Sequence, residues 1–228
     1  MKPTAALICF TQNGAKLAEQ LIGQLNEEFD WYGFVSSRTK LDTNLPQKEG
    51  SLSDWTGEWF SKVQCLVFVG ACGIAVRAIA PFVKDKFADP AVIVIDEQGK
   101  FCISLLSGHM GGANEWTARF AEVLGAEPVI TTATDLNHKF AVDVFAATNH
   151  LAIASHDGIA RVSARLLRDG YLTKSVAGEC EGEIPPEVRL VPYPPKEPVD
   201  VLVAPQCEAG ERCSLWLIPS CLLLGVGC

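Results

Sequence analysis

A histidine inside a glycine-rich stretch is the residue of this sequence best suited to chemistry. An imidazole titrates near neutral pH, so His109 could serve as an acid, a base or a hydrogen-bond donor. Glycines let the backbone approach a ligand closely, and the first turn of a following helix points N–H groups at anions. A histidine that merely holds the loop in shape is the structural alternative. The residues around it that we expect to contact a ligand are Ser107, Gly108, Gly111 and Gly112.

Asn114 ends this stretch and has two possible roles. An asparagine at this place could cap the helix that follows or orient a substrate, and capping is the more common use of such a residue. The sequence leaves both roles open.

A second segment, residues 70–77, reads GACGIAVR and follows an apolar run. Gly70 and Gly73 could admit a ligand to the backbone. Arg77 could form a bidentate pair with a carboxylate, or a salt bridge within the protein. The glycine spacing matches neither the dinucleotide fingerprint nor the Walker A motif, so a nucleotide site is not indicated.

A third segment, residues 131–135, reads TTATD and places hydroxyls beside a carboxylate. Asp135 is the second candidate for a catalytic base. A Ser/Thr/Asp turn at the start of a helix has the same composition, so this alternative stays open. The hydroxyl residues expected to contact substrate are Thr131, Thr132 and Thr134.

The elements that would position these segments alternate between strands and helices. Apolar runs predict strands at residues 4–10, 34–38, 65–69, 91–95, 101–106 and 128–132. Residues 97–100 predict a tight turn, which makes 101–106 the expected hairpin partner of 91–95. Helical periodicity predicts helices from about residue 15 to 25 and over 52–62, 74–83 and 113–124. This alternation predicts an α/β fold, a mostly parallel open sheet with helices on both faces. Because all three segments follow strands, we expect them to meet at one edge of the sheet.

The second half of the chain predicts a smaller α/β domain. Helices are expected over 140–148 and 157–168, and short strands over 151–154, 188–191, 199–204 and 215–218, between proline-rich breaks. We predict an N-terminal domain over 1–137, a middle domain over 138–219, and the first residues of a further domain over 220–228.

Composition restricts the possible partners. The chain has 228 residues and a net charge of −8, which disfavours a nucleic-acid partner. No apolar run approaches the ~20 residues of a membrane span, so no membrane partner is expected and the protein is predicted to be cytoplasmic. The nine cysteines have no CxxC pair and favour reduced thiols over disulfides or a metal site, so no bound metal is predicted.

Four linked motifs resemble the CbiG family of anaerobic cobalamin biosynthesis, the cobalt-precorrin-5A hydrolases. They are GIAVRAIAP (73–81), DKFADPAV (85–92), ISLLSGHMGGAN (103–114) and VITTATD (129–135). The resemblance is dense from about residue 65 to 143 and looser from His150 onward. It implies opening of the δ-lactone of cobalt-precorrin-5A and release of acetaldehyde, giving cobalt-precorrin-5B.

The implied substrate is a cobalt-corrinoid small molecule, whose carboxylates suit Arg77 and the helix N-termini. No cofactor is implied, because cobalt arrives within the substrate and water is the other reactant. His109 is expected to transfer the proton, with backbone N–H groups near Gly111 and Gly112 as the oxyanion donors.

The family normally continues into a C-terminal domain that opens with Gly-x-Gly-Cys, and residues 222–228 match that opening. We interpret residues 220–228 as its beginning, in a sequence that is either cut short or belongs to a naturally truncated or split protein. The C-terminal domain and neighbouring pathway enzymes are therefore possible partners. Two alternatives stay open: a non-catalytic tetrapyrrole-binding portion, and a generic nucleotide- or sugar-phosphate-binding α/β protein.

Overall fold

The fold is described from a computed structural model, which covers residues 2–85, 88–137, 139–207 and 213–220. His138 and residues 221–228, and with them most of the predicted opening of a further domain, lie outside the described residues. The chain divides into two compact units, Met1–Thr131 and Thr132–Cys228. The division falls six residues before the end of the predicted N-terminal domain.

The first unit follows the predicted alternation of strands and helices. Its strands are Thr4–Cys9 (β1), Asp30–Val35 (β2), Cys65–Val69 (β3), Ala91–Ile95 (β4), Phe101–Leu106 (β5) and Glu127–Val129 (β6). Its helices are Gln12–Gln24 (α1), Leu52–Phe60 (α2), Cys72–Ile79 (α3) and Ala113–Leu124 (α4).

One six-stranded sheet forms the centre of this unit, in the order β2-β1-β3-β4-β5-β6. β3 and β4 are buried along their whole length, which explains why both read as unbroken apolar runs. One face packs against α1 and α4 through residues such as Leu21 and Phe120, and the other packs against α2 and α3 through residues such as Trp55 and Ile79. The prediction of an α/β sheet with helices on both faces is confirmed.

A tight hairpin reverses the chain between β4 and β5. The carboxylate of Asp96 accepts hydrogen bonds from the amides of Gln98, Lys100 and Phe101, and Gly99 supplies the positive φ that the turn requires. β5 therefore runs antiparallel to β4, and β6 runs parallel to β5. The last two strands of the sheet point against the first four.

Several element boundaries differ from the prediction. β2 lies at Asp30–Val35 instead of 34–38, because it pairs with β1 from Thr4↔Asp30 to Cys9↔Val35. α3 begins at Cys72, two residues before the predicted start, and β6 ends at Val129. These changes move the ends of elements and leave their order unchanged.

The second unit contains a five-stranded sheet in the order β7-β11-β10-β8-β9. Its helices are Ala133–Leu136 (α5), Val142–Thr148 (α6) and His156–Asp169 (α7). Its strands are Ala152–Ile153 (β7), Leu172–Val176 (β8), Val188–Val191 (β9), Val199–Val203 (β10) and Cys213–Ile218 (β11). β8 was not predicted from the sequence, although it lies between β10 and β9 in the sheet.

Within the described ranges of both units, no helix combines the length and the apolar character needed to cross a lipid bilayer.

Candidate functional site

The loop between β5 and α4 is closely packed around Gly111. Ser107 has a φ of 58°, and its hydroxyl donates a 3.0 Å hydrogen bond to the carbonyl of Asp89. A Cβ placed on Gly111 would lie 2.5 Å from the Cβ of Ser107 and 2.8 Å from the Ser107 carbonyl oxygen. The loop therefore requires glycine at this position for structural reasons.

His109 lies half-buried within this loop, where backbone hydrogen bonds form a turn. The amide of Gly112 donates to the carbonyl of His109 at 2.9 Å. That N–H group is occupied within the turn, so the expected use of Gly112 as an oxyanion donor is wrong. The amide of Gly111 is the member of the predicted donor pair that has no such backbone bond among the described residues.

Asn114 is buried in the first turn of α4 and does not cap the helix. Gly112 is the N-cap residue, and no side chain makes the capping hydrogen bond. The Asn114 side-chain oxygen accepts from the Ser104 hydroxyl at 2.7 Å, and its backbone amide donates to the Gly108 carbonyl at 2.9 Å. The expected capping role is therefore wrong, because the side chain is turned toward β5 and the loop.

Asp89 is a residue whose role the sequence did not reveal, because the 85–90 segment resembles a solvated turn. Its side chain is buried, and its carboxylate accepts hydrogen bonds from the amides of Lys84 at 2.9 Å and Asp85 at 3.1 Å. Its carbonyl holds Ser107. Asp89 thus joins the segment before β4 to the loop that carries His109.

The segment from Gly70 to Arg77 connects β3 to α3 and continues into that helix. The amide of Gly70 donates to the carbonyl of Ile95 at 2.8 Å, and a Cβ on Gly70 would lie 2.9 Å from the ring of Phe10. Gly73, in contrast, faces open space, since a Cβ there would meet nothing within 4 Å. The fold therefore explains the glycine at position 70 and does not explain the one at position 73.

One side of α3 is exposed and mixes apolar groups with a cation. Ala75, Ala78 and Ile79 are buried against the sheet, whereas Val76 is 48% exposed and Arg77 is also exposed. Arg77 makes no ion pair or hydrogen bond with a described residue, so the alternative of an internal salt bridge is not what the structure contains.

The two glycine-rich segments lie at opposite edges of the sheet. We call the edge where β1–β4 end the carboxyl edge, and the edge where β4 begins and β5 and β6 end the amino edge. Gly70 is bonded to Ile95 at the carboxyl edge, whereas Ser107 is bonded to Asp89 at the amino edge. The five residues of β4 separate these edges by about 13 Å. The expectation of a single edge is wrong, because the hairpin reverses β5.

The direction of α3 brings one predicted residue back toward the His109 loop. The helix leaves the carboxyl end of β3, and the chain after it enters β4 at the amino edge. Arg77 is in its last turn and thus lies toward the amino edge, as does the exposed Val83. Thr131, just beyond the end of β6, is at the same edge. Gly70 and Gly73 remain at the other edge.

The rest of the third segment belongs to the second unit and forms the turn that begins α5. Thr132 precedes the helix, and its hydroxyl donates to the carboxylate of the exposed Asp135. Thr134 is buried, and its carbonyl accepts from the amide of Lys139 at 2.8 Å. These residues have the helix-start geometry that the sequence had left open as an alternative.

Comparison with known proteins places these segments in a family. Residues 54–135 match the family model described as cobalamin synthesis G N-terminal (CbiG_N), and this region contains every predicted site residue. A cobalt-precorrin-5A hydrolase of Salmonella typhimurium is 46% identical over 147 residues, and one of Priestia megaterium is 37% identical over 167 residues. Residues 54–135 of the chain are therefore similar to the N-terminal region of the CbiG family.

The chain matches only part of the length of these relatives. The Salmonella match covers 64% of this chain and 40% of the relative, and the Priestia match covers 72% and 44%. A crystal structure of a cobalamin biosynthesis protein G homolog from Sulfolobus solfataricus has a TM-score of 0.58 at 20% identity. That likeness covers 95% of this chain and 60% of the other, and it supports the fold.

The order of the strands reverses between the carboxyl ends of β1 and β3. Open α/β sheets commonly bind ligands at this position. The hydroxyl of Thr11 accepts from the amide of Gly14 at 3.1 Å and caps α1, while the exposed Arg38 and Lys40 follow β2. The Thr-Gln-Asn-Gly sequence of residues 11–14 is the local sequence signal at this position.

The described part of the chain shows no disulfide, and Cys9, Cys65, Cys72, Cys102 and Cys180 are free thiols there. Burial raises the pKa of Cys9 to about 11 and that of Cys102 to about 12, and it raises the pKa of Cys65 as well. Raised pKa values make these thiols poor nucleophiles. No group of three or more potential metal ligands occurs within the described ranges.

Proposed function

We propose that this chain is part of a cobalt-precorrin-5A hydrolase, which opens the δ-lactone of cobalt-precorrin-5A and expels acetaldehyde to give cobalt-precorrin-5B. The observation that carries the proposal is the 46% identity over 147 residues to a curated hydrolase of that name. The reaction breaks a carbon–carbon bond with water as the second reactant. Cobalt is part of the substrate, and no cofactor of the protein is invoked.

The amino edge of the first unit is the place where we propose that the corrinoid binds. A corrinoid combines a broad apolar ring with carboxylates around its periphery. Arg77 supplies a guanidinium that has no partner among the described residues and can pair with a carboxylate in bidentate fashion. Val76 and Val83 are exposed at 48% and 41% and can cover part of the ring.

At this edge, His109 is proposed as the group that transfers the proton during lactone opening. Opening a lactone requires an activated water and stabilisation of an oxyanion. The Gly111 amide is the proposed backbone donor to the oxyanion, since the Gly112 amide is already used in the turn. Asp135, in the second unit, stays the second candidate base.

The other predicted residues have more limited roles in this proposal. Ser107, Gly108, Gly112 and Asn114 hold the loop that presents His109. Gly70 and Gly73 lie at the carboxyl edge and therefore outside the proposed corrinoid site. Gly73, which nothing in the fold requires to be a glycine, stays a predicted contact to be tested separately, and the three threonines stay predicted substrate contacts.

The proposal is tested by incubating the purified chain with cobalt-precorrin-5A and trapping acetaldehyde. The assay is run with and without a separately supplied C-terminal domain of a curated relative. Release of acetaldehyde under either condition, with loss of release in His109→Ala, supports the proposal. Lys62→Ala, a substitution on the exposed end of α2, serves as the control that should retain activity. Full activity of His109→Ala would refute the assignment of the proton-transfer group.

The second candidate function is a non-catalytic portion that binds the tetrapyrrole while the remainder of the enzyme performs the chemistry. The matches cover only 40% and 44% of the lengths of the relatives, and this observation supports the second function. Tight binding of a cobalt-corrinoid, without acetaldehyde release until the C-terminal domain is added, would identify this function. Binding of nucleotides in preference to corrinoids would instead support the generic nucleotide-binding alternative.

A further inference from the structure

The second unit contains a pocket of about 520 Å³ that the proposed function does not use. It lies beside β8 and β9 and beneath the loop formed by residues 178–182. Its walls include Val176, Ile184, Leu190 and Tyr193, and its polar groups include Lys174 and Cys180. Most of the pocket wall is apolar, and Lys174 is the cationic side chain among the lining residues.

Lys174 is the unusual residue of this pocket. It is only 4% exposed, on the second-unit strand β8, and it makes no hydrogen bond or ion pair with a described residue. Its ammonium group instead lies 4.0 Å from the ring centroid of Phe145 and 5.7 Å from that of Phe140. Burial lowers the pKa of Lys174. A buried ammonium without an anionic partner is costly, and Lys174 has no such partner among the described residues, so an anionic ligand would stabilise its charged form.

The wall opposite this lysine is held in place before any ligand arrives. The amide of Glu181 donates to the side-chain oxygen of Asn149 at 2.6 Å, and the Asn149 side-chain amide donates to the Glu181 carbonyl at 3.2 Å. Gly178 and Gly182 bound this loop with φ values of 110° and 100°. This pair of hydrogen bonds ties the loop to the end of α6, which lowers the entropic cost of ordering it on binding.

Three large apolar side chains of the pocket are left uncovered. Leu190 is 53% exposed, Ile184 is 52% exposed and Tyr193 is 43% exposed. Apolar side chains that surround one cation match a ligand that joins one anionic group to an apolar body. The carboxylates of Glu179 and Glu181 also lie at the pocket and disfavour a ligand with several negative charges.

We propose that this pocket binds a small monocarboxylate with a hydrocarbon or aromatic body, and that the Lys174 ammonium pairs with its carboxylate. The ligand carboxylate supplies the missing counterion, and its apolar body covers Leu190, Ile184 and Tyr193. The site lies wholly within the second unit and does not depend on the proposed hydrolase function.

The test measures binding of 3-phenylpropionate and of its neutral amide, 3-phenylpropanamide, by titration calorimetry on the whole chain. We expect the acid to bind the wild-type protein at least about tenfold more tightly than the amide, since a charge-assisted bond is roughly twice as strong as a neutral one. Lys174→Met should abolish this preference. Lys196→Met removes an exposed lysine of the same unit, with the same change in net charge, and should preserve it.

A second measurement does not depend on a variant. Bound acid should slow the alkylation of Cys180 by iodoacetamide, whereas the alkylation of Cys72 in the first unit should not change. Equal affinity for acid and amide, unchanged binding by a folded Lys174→Met protein, or no protection of Cys180 by saturating acid would overturn the proposal.

Discussion

Replacing Gly111 by alanine is expected to destabilise the first unit strongly. The new Cβ would lie 2.5 Å from the Ser107 Cβ and 2.8 Å from its carbonyl oxygen, whereas carbon atoms in contact prefer about 3.5–4.0 Å. Ser107 cannot yield easily, because it has a positive φ and is bonded to Asp89. Overpacking of this kind costs about 1–3 kcal/mol, and losing the Ser107 hydrogen bond adds about 1 kcal/mol. We therefore expect a loss of about 2–4 kcal/mol.

Urea unfolding followed by tryptophan fluorescence measures this loss. Four of the five tryptophans are in the first unit, and Trp116 is next to the loop, so the signal reports mainly on that unit. At a slope of about 2 kcal/mol per molar, the midpoint should fall by roughly 1–2 M.

Gly73→Ala is the matched control, because it adds the same methyl group to a glycine that has open space around it. Alanine is favoured over glycine in a helix by up to about 1 kcal/mol, so this variant should be at least as stable as the wild type. If it binds corrinoid more weakly despite that stability, Gly73 serves ligand approach. A Gly111→Ala protein within about 0.5 kcal/mol of the wild type would show that the described packing of the loop is wrong.

Three other substitutions or treatments test separate features. Ser51→Ala removes the cap of α2, where Ser51 and Asp54 bond reciprocally, and should lower the free energy of unfolding by about 1 kcal/mol in urea titrations. Cys102, with a pKa raised to about 12, should resist alkylation in the folded protein, and the stability that its neutral thiol contributes should be lost as the pH rises from 9 toward 12 in thermal melts. Arg77→Ala should leave the free energy of unfolding within about 0.5 kcal/mol of the wild type, because Arg77 is exposed and makes no bond to any residue that the structure describes, yet it should weaken corrinoid binding in fluorescence titrations. Arg77→Ala with unchanged corrinoid affinity would contradict its role as a carboxylate ligand.

β1, β3 and β4 could be predicted because their side chains are buried on both faces. The sequences of β3 and β4 are continuous apolar runs, and short breaks fix their ends. The hairpin after Ile95 was also predicted. The hairpin makes β5 end at the edge where β4 begins, and the prediction of a single edge did not take this into account. That omission placed the His109 loop at the wrong edge of the sheet.

β8 was not predicted from the sequence for a different reason. Its central residues, Thr173, Lys174 and Ser175, are polar, although Lys174 and Ser175 are buried. The strand is possible because Asp200, 27 residues further along the chain, accepts hydrogen bonds from the amide and hydroxyl of Thr173. A partner so distant in sequence cannot be recognised from a local pattern, and the pocket around Lys174 was missed with the strand.

The position of the His109 loop at the amino edge, instead of the predicted carboxyl edge, also alters how an anionic substrate can be bound. A helix N-terminus binds anions through its free N–H groups, yet the first amides of α4 are already used. The Ala113 amide donates to the Ser107 carbonyl at 3.2 Å, and the Asn114 amide donates to the Gly108 carbonyl at 2.9 Å. α3, which approaches this edge with its C-terminal end, presents carbonyls instead of N–H groups. Carboxylate recognition at the amino edge therefore depends on the guanidinium of Arg77 more than on helix termini.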